Sequence, residues 1–353
     1  MLPYVPKYRE IKCKSVLGTF GMLETQFWTS YCFDPYNNCE FNCVYCHAAA
    51  HKYGSRNFSA PVYAKTNAPQ VLTHELSSFK RKGIVRLSLN TDLYQPAEKK
   101  YRITRQLLEV LKENGWPFSI GTKSDLILRD IDILSQASQK SWCCVALTIT
   151  TLDEKMAKLL EPNAPPPKKR LEALRRLSDE GIKVGVWLIP LIPYLTDSKQ
   201  NMSQVIKAAV DNGAEFILSG MLDMRGSLGF KSFLNDHFEQ LVPIYERLYM
   251  GRPTQPSCGN MDESYLYRAY SRFISLCQKY KVKNYIPHFY SRKQALLFYI
   301  RNFSRFNGTP FFELTQPLNF MFPSKELLQA VQVRFGTTKL GEGVLKALGY
   351  FPK

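Results

Sequence analysis

Through most of its length this chain alternates short aliphatic and β-branched runs with longer stretches whose apolar positions recur every three or four residues. The short runs, at residues 84–89, 118–122, 144–150, 184–190 and 216–219, have the length and composition of strands. Residues 68–82, 100–114, 126–139, 167–181 and 197–212 carry the helical period. Gly115, Gly181 and Gly213 stand where helices should stop, because glycine enters the left-handed conformation of a helix end without steric cost. Strand and helix in regular succession imply βαβ units and hence a parallel sheet. With one more strand ahead of residue 39, about six units are expected, short of the eight that close a full barrel. The predicted fold is therefore α/β, a partial (β/α)6 barrel of TIM type with a helical C-terminal appendage. Its ligands should gather at the C-terminal ends of the strands, where the βα loops converge.

Beyond residue 221 the alternation ends. Residues 231–250 and 263–280 read as helices separated by a loop rich in Pro, Gly and Ser. From residue 286 onward nine Lys and Arg face three Glu, interleaved with Phe and Tyr, and Ser324 and Thr338 are placed to cap two short helices. Phe298, Tyr299 and Phe303 there suit core packing and base stacking alike. The expected organisation is an N-terminal segment (1–28), a barrel (29–221), a helical extension packed on it (222–285) and a basic aromatic appendage (286–353).

A formal net charge of +17 adds a preference for a polyanionic partner, since basic surface attracts phosphate and releases counterions. No apolar run is long enough to cross a bilayer, and the first residues lack the charged-then-apolar order of a leader. A cytoplasmic protein with no membrane partner is expected.

Six of the nine cysteines are scattered, at Cys13, Cys32, Cys143, Cys144, Cys258 and Cys277, whereas Cys39, Cys43 and Cys46 form a C-x3-C-x2-C cluster. Three thiolates can ligate three irons of a 4Fe–4S cubane and leave the fourth open, where the amino and carboxylate groups of S-adenosylmethionine (SAM) can chelate. The competing reading is a zinc site completed by Cys32, His47 or His51. Zinc ligands usually come as two pairs, and no second pair follows downstream. Gly336 to Lys339 superficially suggests a phosphate loop but lacks the required spacing.

Residues 14–17, Asp34-Pro-Tyr36, the cysteine cluster, residues 51–53, 91–98, 122–124 and 148–152, Glu161-Pro-Asn-Ala-Pro165, and residues 170–173, 181–197 and 240–249 follow one another in an order that resembles the radical SAM family of spore photoproduct lyase and its photolyase-like relatives. The resemblance implies a cluster on Cys39, Cys43 and Cys46 that reductively cleaves SAM to a 5′-deoxyadenosyl radical, which then abstracts hydrogen from a substrate. It also implies a one-electron reductant such as flavodoxin or ferredoxin. By the same resemblance Lys123 approaches SAM's carboxylate, Thr148 contributes a polar contact, and Leu188, Ile189 and Pro190 form an apolar platform for adenine. Tyr45 would lie beside the adenine. Arg170 is a candidate for SAM's carboxylate or ribose, or else an ion-pair partner of Glu161 or a helix cap. Asp92 and Glu98 either bind SAM's amino group or substrate, or brace their loop.

The match has departures. Spore photoproduct lyase carries a hydrogen-donating cysteine after its second strand, and the aligned position here is Leu89. The cluster is followed by His47-Ala-Ala-Ala50 where relatives commonly have an aromatic residue then Ala-Arg, and Asn38 stands where they often have Gly. The sequence therefore favours a radical SAM enzyme with an unidentified substrate, nucleic acid preferred. Protein or peptide modification, and a non-enzymatic zinc or Fe–S nucleic-acid-binding module, are the alternatives.

Overall fold

A computed structural model of the protein describes residues 7–24, 29–49, 60–79, 82–224, 228–249 and 261–287. Six parallel strands form its frame: β3 (Thr29–Phe33), β6 (Val85–Leu87), β7 (Phe118–Thr122), β8 (Cys143–Thr148), β9 (Lys183–Leu191) and β10 (Phe216–Met221), adjacent in that order. This is the expected partial barrel. The chain adds an antiparallel edge strand, β2 (Gly18–Glu24), beside β3. A second small sheet orders β1 (Tyr8–Ile11), β5 (Val62–Lys65) and β4 (Tyr36–Asn37), flanking the cysteine loop. Neither addition was anticipated, because these short pieces alternate too few apolar positions to stand out.

The helices on the outer face are α1 (Ala68–Ser78), α2 (Ala97–Tyr101), α3 (Ile103–Glu113), α4 (Ile131–Lys140), α5 (Glu154–Leu160), α6 (Pro167–Asp179) and α7 (Lys199–Asp211). The single helix expected over 100–114 is split, because Arg102 takes a left-handed φ of 50° between α2 and α3. The start of the expected 126–139 helix is a 3-10 turn over Asp125–Asp130. Helix α5 was missed, being only two turns long, although Asp153 caps it by accepting from the Lys155 and Met156 amides. The expected 231–250 helix is two helices, α8 (Leu228–His237) and α9 (Val242–Tyr249), joined by a short 3-10 turn, and α10 (Glu263–Lys279) matches its prediction. The 286–353 appendage, with Phe298, Tyr299, Phe303, Ser324 and Thr338, falls outside the described residues after Pro287, as do His51 and Cys258. No helix among the described residues is long and apolar enough to cross a membrane.

Alternation along the strands separates two faces. Val85, Leu87, Phe118, Ile120, Val145, Leu147, Val184, Val186 and Ile217 join Leu107, Leu134, Leu174 and Val205 in the layer between sheet and helices. The opposite residues, Arg86, Ser119, Gly121, Cys144, Ala146, Thr148, Gly185 and Trp187, face the barrel interior. Trp187 lies across Gly121, where a Cβ would come within 1.9 Å of the indole ring, so only glycine fits. The Arg86 guanidinium sits 5.2 Å from the Trp187 ring centroid, a cation–π contact that floors the interior.

Candidate active site

The site is assembled at the C-terminal ends of the parallel strands. At the end of β3, the Asp34 carboxylate accepts the backbone N–H groups of Leu89 (3.0 Å), Asn90 (3.0 Å) and Thr91 (2.9 Å) and the Thr91 hydroxyl (3.0 Å). That bracket ties the cysteine-loop entrance to the loop after β6. Asn38 follows with a left-handed φ of 69°, a conformation Asn tolerates and most residues do not. Asparagine thus takes a backbone conformation that glycine adopts most readily. Its side-chain oxygen accepts the Cys39 amide at 2.9 Å and its amide donates to the Ala60 carbonyl at 2.9 Å.

Cys39 and Cys43 are buried and Cys46 is half-buried, none of them in a disulfide. They pack with Phe41, Tyr45, Leu160, Ile192, Leu222 and Phe230. Burial pushes the Cys43 thiol up to about 12, so the thiolate a metal needs must be stabilised by that metal or by a neighbouring cation. Among the described residues no three His, Cys, Asp or Glu side chains converge closely enough for one metal ion. Thiolates spread around a multi-iron cluster need not converge on a point. Three thiols from one water-poor loop, with a cation beside them, fit such a cluster.

The cation is Lys123, half-buried at the end of β7, with Nζ 5.5 Å from the centre of the Tyr45 ring. Burial works against its charge, but the combined influence of Cys43, Glu161 and Asp92 holds its pKa above the ordinary lysine value. Its backbone is fixed by Asp92, whose carboxylate accepts the Lys123 N–H at 2.8 Å, the Thr122 hydroxyl at 2.6 Å and the Tyr94 N–H at 2.9 Å. Of the two roles considered for Asp92, the structure displays the brace. Glu98 is likewise a brace, buried and bonded to the Tyr36 hydroxyl, the Thr104 amide and, at 2.7 Å, the Arg129 guanidinium.

A second group locks the cysteine loop to β8. The Tyr45 hydroxyl donates to Glu161, which pairs with Arg170 at 2.5 Å, all three side chains being buried. Arg170 also donates to the carbonyls of Thr148 (2.9 Å) and Pro165 (2.8 Å). With 1% of its surface exposed and its donors spent on Glu161 and two carbonyls, Arg170 is seen here in the ion pair with Glu161, one of the readings its sequence left open. The Val44 amide donates to the Leu160 carbonyl at 3.0 Å, and Asn163 donates to the carbonyls of Phe41 (3.4 Å, backbone) and Glu40 (2.9 Å, side chain). The Glu161–Pro165 segment is thus a clamp. Its presence among the resembling motifs was the only sequence signal for that role.

Thr148 ends β8 with its side chain on the interior face and is 4% exposed. Leu188, Ile189 and Pro190 lie near the end of β9, where the Ile189–Pro190 bond is cis and Ile189 is half-buried. His47 is exposed on the turn after the cluster. Leu89 is half-buried, and Cys144, on the interior face, is 1% exposed.

A sequence family described as the Radical SAM superfamily matches residues 33–206. The uncharacterized protein Rv2578c of Mycobacterium tuberculosis is 31% identical over 284 residues, covering 78% of this chain and 81% of that protein. The uncharacterized protein MJ0683 of Methanocaldococcus jannaschii is 30% identical over 216 residues, covering 61% of this chain and 78% of that protein. Among solved structures, spore photoproduct lyase variants superpose with a TM-score of 0.60 at 9% identity, over 77% of this chain and 79% of theirs. Another, bound to AdoMet and dinucleoside spore photoproduct, gives 0.57 at 10% identity over 71% and 74%. At such identities the structural likeness establishes the shared fold.

Proposed function

The chain belongs to the radical SAM superfamily and is an enzyme of that type, and we propose that Cys39, Cys43 and Cys46 hold a 4Fe–4S cluster whose open iron binds SAM. A cluster held there and reduced by a donor such as flavodoxin or ferredoxin would supply the electron for reductive cleavage of SAM. The observation that carries the assignment is the position of Lys123: its ammonium reaches the Tyr45 ring and feels Cys43, at the mouth of the cysteine loop. There it would meet SAM's carboxylate in a charge-assisted hydrogen bond. Thr148, Ile189 and Pro190 would line the nucleoside side, and the interior face of Tyr45 would flank it. Asp92, Glu161 and Arg170 hold these groups in place. Water is excluded by the apolar packing of Phe41, Leu160, Ile192 and Leu222 around the thiols.

The substrate we favour is a nucleic acid, supported by the net charge of +17. The test begins with anaerobic purification. Brown protein with iron and sulfide, releasing 5′-deoxyadenosine from SAM on reduction, is expected. Replacing Cys39, Cys43 or Cys46 by Ala should abolish that release and strip most of the iron; a triple variant that keeps a full cluster overturns the ligand assignment. Deuterium transfer into 5′-deoxyadenosine from labelled oligonucleotides then tests the substrate class, and transfer from labelled peptides alone would replace it with protein modification.

A further inference from the structure

The loop that follows β9 carries an unusual tyrosine. Tyr194 is 54% exposed, and only Leu159, at 39%, joins it as an exposed large hydrophobic residue among those described. Its backbone adopts φ 63°, a left-handed conformation that aromatic residues rarely take. Strain of this kind persists only where the surroundings impose it. Here Asp197, itself 3% exposed, imposes it: one carboxylate oxygen accepts the Tyr194 N–H at 2.8 Å. The Pro193 carbonyl accepts the Tyr245 hydroxyl at 2.7 Å, fixing the preceding residue as well.

The exposed ring is also supported from one side. Tyr265, at the start of α10, lies with its ring centroid 5.7 Å from that of Tyr194 and its plane 36° away. The Tyr265 hydroxyl donates to the other Asp197 oxygen at 2.5 Å, so a single buried carboxylate holds the Tyr194 backbone and the Tyr265 ring. One turn further along α10, the exposed Arg268 guanidinium lies 5.9 Å from the Tyr265 ring centroid. The result is a ladder, Arg268–Tyr265–Tyr194, whose last rung is open. Two residues before Tyr194, Ile192 packs against the cysteine loop, so the ladder stands beside the candidate active site at the same end of the barrel.

A tyrosine kept for packing would turn inward. This one is held outward at the expense of backbone strain, with a second ring beside it. An exposed aromatic ring in a cluster that also carries a cation matches an unpaired nucleobase, because every base offers a π-face and the adjoining phosphate seeks a positive charge. We propose that Tyr194 is a stacking platform for an unpaired base of a single-stranded nucleic acid at the barrel mouth, with Arg268 drawing the neighbouring phosphate. This rests on the nucleic-acid reading above.

The experiment titrates the full-length, cluster-loaded protein into fluorescein-labelled oligo-dT and oligo-rU and follows anisotropy at several salt concentrations. Tyr194→Ala should weaken binding about 5- to 150-fold, the range that loss of one base–aromatic stack produces. Tyr194→Phe and Tyr194→Trp should bind at least as well as the wild type, since stacking needs no hydroxyl. Arg268→Gln should lower the salt dependence by roughly one phosphate contact. Where Tyr194→Ala fails to fold, Tyr194→Gly removes the ring and relieves the positive φ together. Wild-type binding with Tyr194→Ala within twofold of it overturns the platform and leaves the nucleic-acid reading standing. A Tyr194→Phe variant as weak as the alanine one overturns it too, by making the hydroxyl the contact. Absence of wild-type binding to either oligonucleotide overturns the substrate reading and the platform with it.

Discussion

Replacing Arg170 with Met should destabilise this protein more than almost any other single change near the site. The guanidinium is buried, pairs with Glu161 at 2.5 Å and donates to two backbone carbonyls. Burial works to raise the pKa of the Glu161 carboxyl, but Arg170, Lys123 and the hydrogen bonds outweigh it and hold that pKa below the ordinary carboxylate value. Removing Arg170 leaves a buried carboxylate without its chief partner, a loss of about 3–5 kcal/mol. Glu161→Gln in the same chain removes the stranded charge while leaving an amide oxygen for the Tyr45 hydroxyl. The double variant should then recover part of that loss, the remainder coming from the two carbonyls that Arg170 no longer serves. The assay is urea unfolding of apoprotein followed by two probes. At a slope of about 3 kcal/mol per molar, the single variant's midpoint should fall by roughly 1–1.7 M and recover in part in the double. A loss below about 1 kcal/mol for Arg170→Met, or a double variant that loses the sum of the two singles, would refute a tightly coupled buried pair.

Three further outcomes are expected. Lys123→Ala should retain iron but bind SAM about ten- to a hundred-fold more weakly, as one charge-assisted bond of roughly 1.5–3 kcal/mol is lost; unchanged affinity by equilibrium dialysis places Lys123 outside the pocket. Asp132 is held at about 2, below its ordinary 3.8, chiefly by hydrogen bonds from Arg105. Because the folded value is the lower one, its stabilisation is present above pH 3.8 and disappears as pH falls through 2. Wild type should therefore exceed Asp132→Asn by less than about 1 kcal/mol at pH 5, with the gap closing towards pH 2; a gap that widens in acid contradicts the sign. Reduced enzyme should cleave SAM without turning over a dinucleotide spore photoproduct, since Leu89 offers only strong C–H bonds and Cys144 is buried in the interior. Multiple-turnover formation of the thymine dinucleotide, followed by chromatography, would restore the lyase activity.

The sequence by itself determined the barrel and its cysteine loop. Strand and helix periods are local properties, set by side chains two or four residues apart, so six parallel strands were legible without coordinates. The C-x3-C-x2-C spacing is local as well. Only tertiary structure decided what each charged residue does. Arg170 read as a SAM ligand, an ion-pair partner or a helix cap, and its ion pair depends on Glu161 folding back beneath Tyr45, 116 positions away in the chain. Asp92 and Glu98 became braces because loops distant in sequence supply their donors. Tyr194 gave no signal at all: its exposure depends on Asp197 and on Tyr265, which only the packing of α10 against the barrel brings together. Periodicity records which side of an element faces the core, whereas a charge's role depends on partners brought from elsewhere in the chain, and those are a product of the fold.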